Sequence, residues 1–121
     1  LADFARMEPI LLLDWPGQAP DRAELLSFME RWAGADGLGA GPDQGYAGAD
    51  PWLARVEALL RRLRAHAART VAPADDPRPY LLAVLEWTLC TACYRSFDAD
   101  RKRLGACMAG LFVRALERLG G

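Results

Sequence analysis

Histidine and lysine are nearly missing from this chain of 121 residues: His66 and Lys102 stand alone of their kinds. A single histidine leaves no Ser-His-Asp or Cys-His arrangement that spacing could support. Placed at the border of an apolar stripe among arginines, His66 reads as a partly exposed structural side chain. Cysteine is sparse and odd in number (Cys90, Cys93 and Cys107). That excludes a disulfide-stapled secreted scaffold and fits a reducing, cytoplasmic setting. Long hydrophobic runs are missing too. A membrane-crossing helix needs about 18 or more apolar residues, and the best stretch, Tyr80 to Tyr94, is interrupted by Glu86 and stopped by Arg95. No signal-peptide pattern is present, and no membrane partner is expected. The net charge of -1 gives no general pull toward nucleic acid or anionic lipid. No run alternates with period two, and no internal repeat is found. The chain opens on Leu1-Ala2-Asp3 rather than on Met, as a piece of a longer protein would.

What is present is helical periodicity. Leu1, Phe4, Met7 and Leu11 recur at helical spacing, with Pro9 expected to kink or restart the helix. The turn-forming run at 14–20 separates it from a second helix. Asp21 and Glu24 cap that helix, and Leu25, Phe28, Met29 and Trp32 mark one face. Residues 34–50, with six glycines and a proline, read as a long mobile loop. Asp50-Pro51 is a helix start signal, and Trp52, Val56, Leu59, Leu60, Leu63 and Ala67 form an apolar stripe after it. Pro79 opens a fourth helix, to about Phe97, apolar nearly all round. Asp98 or Asp100 caps a fifth, whose broad apolar face carries Leu104, Cys107, Met108, Leu111, Phe112, Ala115, Leu116 and Leu119. Gly105, Ala106, Ala109 and Gly110 keep part of its surface low, so another helix can approach closely. The expected fold is all-α: a single helical domain over 1–121 with about five helices.

Chemistry candidates are few. Cys90 and Cys93 form a C-x-x-C. Redox pairs of this kind usually stand at a helix N-terminus, where free amides stabilise the thiolate. Cys90 falls about ten residues into the expected helix, where none remain. A zinc site from Cys90, Cys93, Cys107 and His66 matches no finger or ribbon spacing. The sulfurs are therefore expected to be buried packing, with no metal and no catalytic residue. Glu86, the one acid in the fourth helix, is either a rim residue facing water or a cross-helix partner, and the rim reading is preferred. Trp15, Trp32, Trp52 and Trp87 are core filling or the wall of an apolar pocket. The run Arg101-Lys102-Arg103 is expected to be a solvated face.

The C-terminal string DDPRPYLLAVLEWTLCTACYRSFDADRKRLGACMAGLFVRALERLG has a recognisable layout. An Asp-Pro linker leads into a long apolar helix, an Asp-bearing turn follows, and a last helix ends in R-A-L-x-x-L-G. It resembles the last two helices of the effector-binding domain of tetracycline-repressor-type (TetR) transcriptional regulators, which are bacterial and cytoplasmic. The resemblance implies a homodimer in which the last two helices form a four-helix interface. It also implies a pocket for an apolar or amphipathic small molecule among the earlier helices, without a cofactor and without enzymatic activity. No helix-turn-helix segment is present, so DNA binding is expected only through a module outside this chain. A helix apolar on all sides, beside one with a small-residue surface, independently calls for a second subunit. Leu82, Leu85, Leu89, Cys93, Leu104, Met108, Leu111 and Ala115 are the expected interface. Phe28, Met29, Trp32, Trp52, Val56, Leu59, Trp87 and Thr91 are the expected pocket. The rival readings are a helical protein-interaction module without a ligand and a cysteine-based redox or metal protein.

Overall fold

The computed structural model describes residues 2–15, 20–35, 41–70, 76–94 and 97–120. These form five helices: α1 (Ala2–Leu13), α2 (Arg22–Ala33), α3 (Pro51–Thr70), α4 (Arg78–Ala92) and α5 (Ala99–Gly120). No strand occurs among the described residues, and no helix is long and apolar enough to cross a membrane among them.

The caps follow from the sequence. The Asp21 side chain accepts from the Glu24 N–H at 3.0 Å. Asp50 accepts from the N–H groups of Trp52 and Leu53, at 2.8 and 3.3 Å. Asp98 does the same for Arg101 at 2.8 Å, which settles the Asp98 or Asp100 alternative. Each supplies an acceptor to amides that the first helical turn leaves without one. Two boundaries differ from expectation. α1 continues through Pro9 rather than restarting there. α4 stops at Ala92 rather than near Phe97, because the chain tightens there. The Cys93 and Tyr94 N–H groups donate to the carbonyls of Cys90 and Thr91, both at 3.1 Å, three residues back instead of four. Phe97 then turns inward and is buried.

α1 packs against α3, α4 and α5, while α5 also packs along α4 and α2. The core runs from Leu12 and Leu13 through Leu25, Phe28, Met29, Trp32, Leu53, Val56 and Leu60 to Val84, Leu104, Met108 and Phe112. α4 and α5 are close because of Gly105: a methyl there would stand 2.7 Å from the Ala92 Cβ and 3.5 Å from Leu13 Cδ1. Of the glycine-rich segment expected to be mobile, 36–40 lies outside the described residues. The part at 41–50 is tied to its neighbours. Arg61 donates to the Pro42 carbonyl at 3.1 Å, and Arg31 donates to that of Gln44. The Tyr46 N–H donates to Glu57, and its hydroxyl donates to Glu24. Gly41 adopts φ 69° with its Cα against the Trp32 ring, where a side chain would be both strained and obstructed.

Candidate functional site: a polar centre and an outward apolar face

The most heavily bonded groups lie in the middle of the molecule. Glu8 on α1 is fully buried and receives two parallel bonds from Arg64 on α3, Nε to Oε2 at 2.8 Å and Nη2 to Oε1 at 2.9 Å. Tyr80 on α4 donates its hydroxyl to the same carboxylate at 2.7 Å. The third guanidinium nitrogen of Arg64 donates to the Trp32 carbonyl on α2 at 3.0 Å. The guanidinium carbon also stands 5.0 Å from the Trp32 ring centroid and 5.9 Å from that of Tyr80. One carboxylate and one guanidinium thus join four helices. Burial pushes the Tyr80 hydroxyl far above the usual tyrosine range, and the Glu8 charge adds to the shift. Burial alone would lower the Arg64 pKa; the Glu8 carboxylate outweighs it and raises it. The polar groups of Glu8, Arg64 and the Tyr80 hydroxyl each face a partner, while the Trp32 indole N–H is buried without a hydrogen-bond acceptor among the described residues. This is the geometry of a structural clamp rather than of a reacting site.

The expected pocket residues are spread between the core and its rim. Phe28, Met29, Trp32 and Val56 are buried against one another in the core. Thr91 is buried on α4, where its hydroxyl donates back to the Trp87 carbonyl at 2.7 Å. Trp52 is half-buried, and Trp87 lies under the Arg6 guanidinium at 5.2 Å. Leu59 points to solvent, 48% exposed. Among the described residues, a cleft of about 210 Å³ beside the glycine-rich segment is lined by Arg31, Gly41, Pro42, Asp43 and Gln44, and one of about 320 Å³ by Phe28 and Tyr46 together with Glu24 and Arg31. His66 stacks against Phe4 at 5.2 Å. Arg101, expected to be solvated, is structural: it donates to the Trp15 carbonyl at 3.0 Å and stacks 4.6 Å over that ring. Lys102 and Arg103 do face solvent.

The expected interface residues divide. Leu104, Met108 and Ala115 turn into the chain's own core. They lie on the face of α5 that meets α4 and α2, so they are not available to a second chain. Leu82 and Leu89 face outward, 49% and 52% exposed, with Cys93 exposed and Leu85 and Leu111 half-buried. Leu82, Leu85, Leu89 and Cys93 recur at the three- and four-residue spacing that makes one ridge along a helix. Beside the ridge, α5 presents Ala106 and Gly110, both exposed, and Val113, 40% exposed. A methyl at Gly110 would meet nothing within 4 Å. Further round α5, an open cleft of about 320 Å³ is lined by Leu26, Glu30, Cys107, Gly110, Leu111 and Arg114. Glu86 faces water beside the ridge.

The cysteines correct the sequence reading. Cys90, Cys93 and Cys107 are all exposed thiols rather than buried packing. The outer side of α4 is as apolar as its inner side, so composition alone did not reveal which side the sulfurs occupy. Among the described residues no three His, Cys, Asp or Glu side chains gather as a metal site would need.

The described residues form a small all-helical domain with an apolar outer face on its last two helices. No protein-family model, curated protein or solved structure matches the chain.

Proposed function

We propose that this domain is a helical association module whose docking face is the outer side of α4 and α5, and that its partner is a second copy of itself. The observation that supports this is the ridge of Leu82, Leu85 and Leu89 standing beside the low row of Ala106 and Gly110. Ridge and groove on one face make that face self-complementary. A two-fold axis parallel to the helices lays each copy's ridge on the other's groove. Charge agrees with the arrangement. Ala92 stands level with Gly105, so Glu86 comes within about one helical turn of Arg114 of the second copy. Neither has an ion-pair partner within the chain among the described residues.

The TetR-type reading uses the same two helices for association and adds an effector pocket and a separate DNA-reading module. The close packing of Phe28, Met29, Trp32 and Val56 favours association without an effector.

Sedimentation equilibrium tests the proposal. The expected result is a dimer at micromolar concentration that Leu82→Glu and Leu89→Glu each convert to monomer with unchanged helical circular dichroism. Leu59→Glu, equally exposed on α3, leaves the dimer intact. A wild-type monomer at hundreds of micromolar rejects self-association, and a dimer indifferent to the α4 substitutions moves the interface elsewhere.

A further inference from the structure

We infer that Cys90 and Cys93, at the C-terminal end of α4 beyond the Leu82, Leu85 and Leu89 ridge and exposed in the single chain, form a dithiol that captures a trivalent arsenical, a thiophilic centre satisfied by two sulfurs. Both thiols are exposed. The Cys93 N–H donates to the Cys90 carbonyl at 3.1 Å, so one closing turn of backbone holds the two residues together. Helix geometry puts their Cα atoms about 5 Å apart and their Cβ atoms about 5.6 Å apart. A Cα separation of that size lies within the range that two sulfurs can bridge directly or through a shared atom. One larger atom between the sulfurs is reached with the backbone in place.

Two further arguments choose the centre. A tetrahedral zinc ion takes four protein ligands in a closed site, and among the described residues no group of three or more suitable side chains exists. The pair also sits at the C-terminal end of α4, where the helix dipole disfavours negative charge. Two thiolates on a monovalent soft cation would leave a net negative site there, whereas an arsenic(III) centre carrying one organic group and two thiolates is neutral. The reaction with an arsine oxide balances without a redox step. The arsenic–oxygen double bond breaks and two arsenic–sulfur bonds form. Both thiol protons leave with the oxygen as water, and arsenic stays trivalent.

Phenylarsine oxide is the probe, applied to the whole chain and read by intact mass in the presence of glutathione. The expected result is one phenylarsenic group per chain, retained against excess glutathione and released by a small dithiol. Cys90→Ser and Cys93→Ser should each give up the group at a glutathione concentration lower by a factor on the order of 100, the loss of the second, intramolecular bond. Cys107→Ser should behave as wild type, and circular dichroism checks that each variant is folded. Retention in either single variant, loss in Cys107→Ser, or a wild-type adduct stripped by glutathione overturns the inference.

Discussion

Two carboxylates in this molecule do similar work in different surroundings. Glu8 is paired with Arg64 at side-chain exposures of 0% and 2%. Glu57, on the outer edge of α3, is 10% exposed and receives Arg31 and Arg61 at 3.2 Å each, from side chains 29% and 35% exposed. Both join separate segments: Glu8 ties α1 to α3 and α4, and Glu57 ties α3 to α2 and to the segment around Tyr46. The surroundings decide what each is worth. At Glu57 the carboxylate is largely covered, but its two arginine partners keep about a third of their side chains in water, which screens the pairs and can replace a lost partner. At Glu8 no water stands in, so removing one member leaves the others charged or polar in a dry core. A buried pair is a demanding arrangement whose members are indispensable to one another, while a rim cluster tolerates loss.

Breaking this comparison begins with Glu8→Gln. Arg64 would keep its charge with no counter-charge, and unfolding free energy should fall by about 3–5 kcal/mol in urea titration. A fall below about 1 kcal/mol would place the pair in the same class as the rim cluster. Tyr80→Phe comes next, with an expected loss of about 1.5–3 kcal/mol for one hydrogen bond to a charged acceptor. It has a second signature in pH. The folded-state pKa of Tyr80 lies above its unfolded value, so its contribution is intact below about pH 10 and declines as pH rises beyond that. The decline is about 1.4 kcal/mol per pH unit for one proton. Tyr80→Phe should flatten the alkaline limb by that amount; an unchanged limb would remove Tyr80 from the dry centre. Glu57→Gln is the smallest, at most about 1 kcal/mol, and its effect should shrink further in 1 M salt while that of Glu8→Gln persists.

The same contrast explains what could be read in the sequence. Helix starts were legible because a cap is local: Asp21, Asp50 and Asp98 each serve amides two or three residues away. The polar centre was not, since Glu8 and Arg64 are 56 residues apart. One signal was available. Arg64 lies at the helical phase of Leu53, Leu60 and Ala67, all fully buried, so it had to be covered along with them. Leu59 misled in the opposite way, being apolar but one position off that phase. On α4 the phase itself could not be read, because the outward positions Leu82, Leu89 and Cys93 are as apolar as the inward ones. The ridge and the dithiol both lie on that ambiguous face.

The buried carboxylate also imposes an order of events on folding. Each helix can begin to form from its own residues, but Glu8 needs a guanidinium 56 positions away and a hydroxyl 72 positions away before it can leave water. Until α3 and α4 have both arrived against α1, that anion must keep its hydration shell, and a collapsed chain must keep a wet spot at its middle. Expulsion of water from around Glu8 is therefore expected late, when a loose bundle becomes this particular one.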